Sequence, residues 1–188
     1  MAIIFFKEQK YLPLIKKVAQ EIGVQPALIL AHIKQESSFN PNAFRAESKL
    51  RDASYGLMQV LLKTAKSIDS SATATKLYDP EYNIRIGSTY ISQNLNKYKN
   101  IPDAIAAYNA GVAKIEYGRY VSRSGTDVQP YVNSVMSNYQ MYSKWLNKGA
   151  VAINPLDPLL ISSVVFFGVM LILKIWRRNA KNNRIGKR

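Results

Sequence analysis

The chain has 188 residues, 47% of them hydrophobic, which is enough for one ordinary domain with an appendage. It holds no cysteine and a single histidine, so disulfide frameworks, thiol nucleophiles and two-histidine metal sites are excluded. The net charge is +14, but seven basic residues crowd the last fifteen positions, leaving +7 for residues 1–157.

The opening Met1-Ala-Ile-Ile-Phe-Phe6 is apolar but too short for a signal-peptide core, so ordinary secretion is not expected. From Lys10 to about Gly23, Leu12, Leu14, Ile15, Val18, Ala19 and Ile22 recur at helical spacing with lysines opposite. Gly23 ends that helix, and Pro26 suits the first turn of a second, running through Leu28, Leu30 and Ile33 to Glu36. Pro41 disfavours helical geometry at Asn40, so Glu36 falls near a helix C-terminus with no neighbouring carboxylate in sequence. A lone carboxyl in that position suits a single proton donor acting on an acid-labile bond.

Residues 45–55 read as a polar loop, followed by a helix over about Gly56–Ser67. Asp79-Pro80-Glu81 opens a further helix in which Tyr82, Ile86, Tyr90 and Leu95 share a face, and Ile101-Pro102-Asp103 opens another that ends at Gly111. Residues 117–126 read as loop, and a last helix spans Pro130 to about Leu146. No strand-like alternation of useful length appears, so the domain is expected to be mainly α.

A short linker then leads to Asp157-Pro158 and to an uncharged stretch, Leu159–Leu173. Extended through Trp176 it reaches roughly 27 Å as a helix, close to a bilayer's hydrocarbon thickness. Lys174 can snorkel, Trp176 suits the interface, and Arg177-Arg178 follow at once. The expected organisation is a catalytic domain at 1–148, a linker at 149–158, a single transmembrane helix at 159–176 and a basic tail at 177–188. The basic flank predicts a cytoplasmic C-terminus, with the domain on the other side of the membrane. The basic surface suits a polyanion, but no nucleic-acid motif is present and specific nucleic-acid binding is not expected.

Three motifs stand in register: Glu36-Ser37-Ser38-Phe39-Asn40-Pro41, Gly56-Leu57-Met58-Gln59 and Ala107-Tyr108-Asn109-Ala110-Gly111. In order and spacing they resemble the soluble lytic transglycosylase family, whose fold is related to goose-type lysozymes. The segment Asp79–Gly87 resembles the family's helix between the second and third motifs, and Tyr131 its later tyrosine. The resemblance covers about residues 10–145 and implies a lysozyme-like domain. The implied reaction is cleavage of the β-1,4 bond between N-acetylmuramic acid and N-acetylglucosamine in peptidoglycan, with a 1,6-anhydromuramoyl product.

By that resemblance Glu36 is the catalytic acid, and Ser37, Met58, Gln59, Tyr108, Asn109 and Tyr131 bind substrate or set the acid's surroundings. Neither metal nor cofactor is implied. The sequence departs from the family at 51–55, where Asp52 stands at the position of an aspartate that helps place water in some goose-type lysozymes. A hydrolytic muramidase is therefore an alternative. An outward-facing domain without a secretion signal implies a phage virion protein, released to open the wall for genome ejection, with other virion proteins as partners. A bacterial conjugation or secretion-system enzyme and a structural, membrane-anchored protein with a degenerate wall-binding domain are the remaining alternatives.

Overall fold

The structure, a computed structural model, describes residues 6–112 and 114–151, with side chains through Lys148. Residues up to Lys144 form one compact unit, and the site lies within it. The linker beyond Val151, the expected membrane helix at 159–176 and the tail at 177–188 fall outside the described residues. Among those described, no helix is long and apolar enough to cross a membrane.

Among the described residues six helices dominate: α1 (Phe6–Ile22), α2 (Pro26–Ser37), α3 (Leu62–Ile68), α4 (Pro80–Tyr98), α5 (Ile101–Ala110) and α6 (Gln129–Val151). Helix α2 is the centre of the core. Every residue from Ala27 to Ile33 is buried, as expected of a helix apolar nearly all round. Helix α1 covers it with Tyr11, Ile15, Val18 and Ala19, spaced to occupy one face. At the other end of the chain Tyr142 on α6 is fully buried and donates its hydroxyl to Glu8 on α1 at 2.8 Å, which satisfies a carboxylate that α1 buries. Helix starts follow the expected chemistry. Asp79 accepts the Tyr82 amide at 2.8 Å ahead of Pro80, and Asn100 accepts the Asp103 amide at 2.8 Å ahead of Pro102.

Among the described residues the mainly α domain also holds two small antiparallel sheets, where the sequence shows no strand-like alternation of useful length. Strands β1 (Phe44–Glu47), β2 (Asp52–Tyr55) and β3 (Val60–Leu61) form one, in the order β1-β2-β3, with Glu47 opposite Asp52 and Tyr55 opposite Val60. Strands β4 (Lys114–Glu116) and β5 (Arg119–Val121) form the other. The expected loop at 45–55 is thus a hairpin closed by a 3₁₀ turn at Ser48–Leu50. The helix expected from Gly56 begins only at Leu62. These strands are two to four residues long and bury few residues, so they carry too little alternation to be read from sequence.

The Gly56–Gln59 segment is the turn between β2 and β3, and the fold grips it from two sides. Gly56 has φ +72°, and a Cβ there would lie 2.4 Å from the Leu77 carbonyl oxygen, so only glycine fits without displacement. From α4, buried Asn83 accepts the Met58 amide and donates to the carbonyls of Tyr55 and Leu77, each at 2.8 Å. Gly87, one turn further along α4, leaves room for Met58, whose sulfur would lie 2.5 Å from a Cβ placed there. One asparagine and one glycine on α4 thereby hold the whole turn in place.

Candidate active site

Glu36 sits on the last turn of α2, which ends sharply because Ser38 and Phe39 both adopt left-handed backbone (φ 49° and 66°). Its carboxyl opens into a cavity of about 110 Å³. Several elements meet around it. Strands β1 and β2 contribute Arg45, Glu47 and Ser54, the β2–β3 turn contributes Gln59, and α5 contributes Tyr108 and Asn109. From α6, Tyr131 donates its hydroxyl to Glu36 Oε1 at 2.5 Å, and Ser134 bonds to Gln35 next door, also at 2.5 Å. Residues 95 positions apart in sequence are joined there.

Burial dominates the electrostatics. Surrounding protein pushes the Glu36 pKa up to about 7, with the nearby Glu47 charge acting in the same direction. The Tyr131 hydrogen bond and the Arg45 guanidinium oppose the rise without cancelling it. The negative end of the α2 dipole also disfavours a negative charge at this position. Near neutral pH the carboxyl is therefore substantially protonated and able to donate. Burial, and then the Glu36 charge, hold both Tyr108 and Tyr131 well above the ordinary phenol pKa, so both remain neutral donors.

The other expected residues divide into two groups. Gln59, Tyr108 and Asn109 line the cavity. Gln59 has φ 45°, a costly conformation for this residue, and its side-chain nitrogen secures it by donating to the carbonyls of Ala43 at 3.0 Å and Gly56 at 3.1 Å. Tyr108 donates to the Met58 carbonyl at 2.9 Å and packs between Tyr90 and His32, with ring centroids at 5.3 and 4.7 Å. His32 is fully buried, donates to the Leu28 carbonyl and is driven by desolvation down to about 4, so it is a neutral wall behind Tyr108.

Met58, Ser37 and Asp52 do not line the cavity. The Met58 side chain is fully buried against Gly87 of α4, beneath the Gly56–Gln59 turn. Ser37 donates to the Leu57 carbonyl at 2.7 Å and pins the end of α2 to the Gly56–Gln59 turn. Asp52 accepts the backbone amides of Ala53 at 2.8 Å and Lys63 at 3.0 Å, tying β2 to the start of α3.

The carboxylate that does share the cavity with Glu36 is Glu47. Its Oε1 accepts from Arg45 Nε at 2.5 Å and from the Ser54 hydroxyl at 3.2 Å. Glu36 is thus isolated in sequence but not in space. The register Ala46↔Ala53 within β1 and β2 brings Arg45, Glu47 and Ser54 together, and nothing in residues 45–55 announces a hairpin strongly enough to reveal it.

Removing the Tyr131 hydroxyl separates its two effects. Because its hydrogen bond favours the ionised Glu36, Tyr131→Phe should raise the Glu36 pKa above about 7 and move the alkaline limb of the pH–rate profile to higher pH. At the optimum a loss of about tenfold is expected, from a less firmly held acid. A limb that stayed in place would show that the 2.5 Å contact does not tune the acid.

The comparisons with known proteins agree on one family. The family described as "Transglycosylase SLT domain" matches residues 13–128. Membrane-bound lytic murein transglycosylase C from Yersinia pestis (strain Pestoides F) is 37% identical over 124 residues, covering 58% of this chain and 33% of that protein. Its counterpart from Yersinia pseudotuberculosis serotype O:1b gives the same figures. The chain therefore spans about a third of the length of the curated relatives it matches. Among solved structures, an inactive mutant of the lytic transglycosylase Slt from Pseudomonas aeruginosa superposes with TM-score 0.59 at 27% identity, covering 72% of this chain and 24% of that one. The 70 kDa soluble lytic transglycosylase of Escherichia coli gives 0.58 at 25%, covering 74% and 26%. With more than half of its residues matched by the family model, and a lysozyme-like helical domain built around Glu36, this chain belongs to the transglycosylase SLT family.

Proposed function

We propose that this chain is a peptidoglycan lytic transglycosylase that cleaves the β-1,4 bond between N-acetylmuramic acid and N-acetylglucosamine. One observation carries the reading: a half-buried, poorly solvated carboxyl, protonated to near neutral pH, faces a cavity walled by Gln59, Tyr108 and Asn109. The neutral Glu36 acid gives its proton to the glycosidic oxygen as the bond from that oxygen to the muramoyl C1 breaks, releasing N-acetylglucosamine as a free alcohol. The substrate's own acetamido group stabilises the positive charge at C1. The Glu36 carboxylate then takes the proton of the muramoyl C6 hydroxyl, and O6 bonds to C1. The 1,6-anhydro ring closes, Glu36 is protonated again, and no water is consumed.

A second reading has a specific observation behind it. Glu47 brings a second carboxylate into the Glu36 cavity, and paired carboxylates can direct water onto C1. Mass spectrometry of digested peptidoglycan tests the two. Anhydromuramoyl ends are expected, whereas reducing ends with added water would replace the transglycosylase by a muramidase. A complete lack of cleavage would favour a structural role.

We also propose that residues 159–176, uncharged from Leu159 to Leu173 and followed by Arg177-Arg178, anchor the chain in a membrane with the domain on the peptidoglycan side. Recovery of the full chain in the carbonate-washed membrane fraction is expected, and recovery in the wash would refute the anchor. Association with phage particles is a separate proposal, and absence of the chain from purified particles would end it.

A further inference from the structure

The Glu36 cavity is one end of a longer depression. A groove of about 500 Å³ shares Leu50, Gln59, Leu61, Tyr108 and Asn109 with that cavity and continues to a turn at Ser122, Arg123 and Ser124. The turn is firmly built. The Ser122 amide donates to the Thr126 carbonyl at 2.9 Å, the Gly125 amide to the Ser122 carbonyl at 3.0 Å, and the Thr126 amide to the Ser122 hydroxyl at 3.1 Å. Tyr120, just before it, donates to Asp103 at the start of α5 with a 2.5 Å bond. A side chain on this turn therefore has a fixed base beside the groove.

The charges here are unequally used. Lys114 pairs with Glu116, and Arg119 with Asp127. Arg123 lines the groove and has no carboxylate partner among the described residues. An exposed guanidinium at the wall of a largely apolar groove is a docking point for an external carboxylate, which its planar donors can bind in pairs.

Given the function proposed above, on which this inference rests, the chemistry of the substrate identifies that carboxylate. The sugars of the glycan strand are neutral where the lactyl groups are amide-linked to peptide, so the strand's negative charge resides on the stem peptides. We propose that Arg123 binds a stem-peptide carboxylate, so that the groove selects glycan strands still bearing peptides. Arg123 is then a specificity-determining residue, distant from the reacting atoms.

The test uses full-length chain carrying Glu36→Gln, so that binding is read without turnover. Its retention is measured on purified sacculi free of other wall polymers, and on the same sacculi with carboxylates converted to amides by carbodiimide and ammonium. Without further change the chain should bind the native sacculi about five- to tenfold more tightly, a difference that shrinks with added salt. Arg123→Ala should abolish most of that difference, Arg123→Glu should invert it, and Arg123→Lys should restore part of it. An unchanged ratio in Arg123→Ala would overturn the proposal. Failure of the catalytic reading looks different: no anhydro ends from the Glu36 enzyme, with the binding ratio intact.

Discussion

Glu36→Gln is expected to reduce strand cleavage by about a thousandfold or more while leaving the fold intact. The substitution keeps the shape and removes the proton, and general acid–base catalysis by one positioned group contributes roughly 10²–10⁴-fold. Here the same group must act first as acid and then as base, so the upper part of that range applies. The stability of the variant provides an internal control. In the folded chain the Glu36 pKa is about 7, against 4.5 without burial, so the native state holds the proton more tightly than the unfolded state. Between those values the stabilising contribution of the protonated form is lost as pH rises, and above about pH 7 the ionised carboxylate costs up to about 3 kcal/mol. Glutamine carries no such cost. The variant should therefore melt at the same temperature as the parent or higher at pH 8, and an inactive variant that also melted lower would point to misfolding instead of lost chemistry. Retention of full activity by a well-folded Glu36→Gln chain would overturn the mechanism.

The second large effect is expected at Asn83, which does not line the Glu36 cavity. Its side chain makes three 2.8 Å hydrogen bonds to backbone groups of Tyr55, Met58 and Leu77, and it is itself buried. Asn83→Ala leaves one amide and two carbonyls without partners, at a cost of about 3 kcal/mol, lowering the melting temperature by on the order of 10 °C. Asn83→Asp should be worse, since a second acceptor then faces the two carbonyls that the amide nitrogen now serves. Activity should fall as well, because the Met58 carbonyl that receives the Tyr108 hydroxyl and the strained Gln59 belong to the turn that Asn83 holds. Thermal unfolding read alongside activity decides this. A melting temperature within about 2 °C of the parent would show that the turn holds itself.

Much of this site is visible in the linear chain because the backbone events that frame it are local. Pro26 opens the helix that carries Glu36 and Pro41 limits how far it can run, and Asp79-Pro80 and Ile101-Pro102-Asp103 open two more helices. Each is a property of a few consecutive residues, so periodicity and turn chemistry reach it. Met58 and Ser37 show where that reading stops. Both lie within motifs and both matter, yet one packs under α4 and the other staples α2 to the turn, and a sequence motif does not distinguish touching substrate from holding what touches it.

The sequence by itself determined most of the helices and the place of Glu36 near a helix end, since these follow from hydrophobic spacing, prolines and caps within short windows, while the motif partners of Glu36 came from the resemblance of three motifs in register. Only the tertiary structure decided what surrounds the acid. The short β1–β2 hairpin brings Arg45, Glu47 and Ser54 to Glu36, α6 returns over 95 positions to place Tyr131 on it, and α5 closes the cavity with Tyr108 and Asn109. The rise of the Glu36 pKa to about 7 is a consequence of that convergence. Desolvation depends on every atom packed around a group, and no window of sequence contains them all.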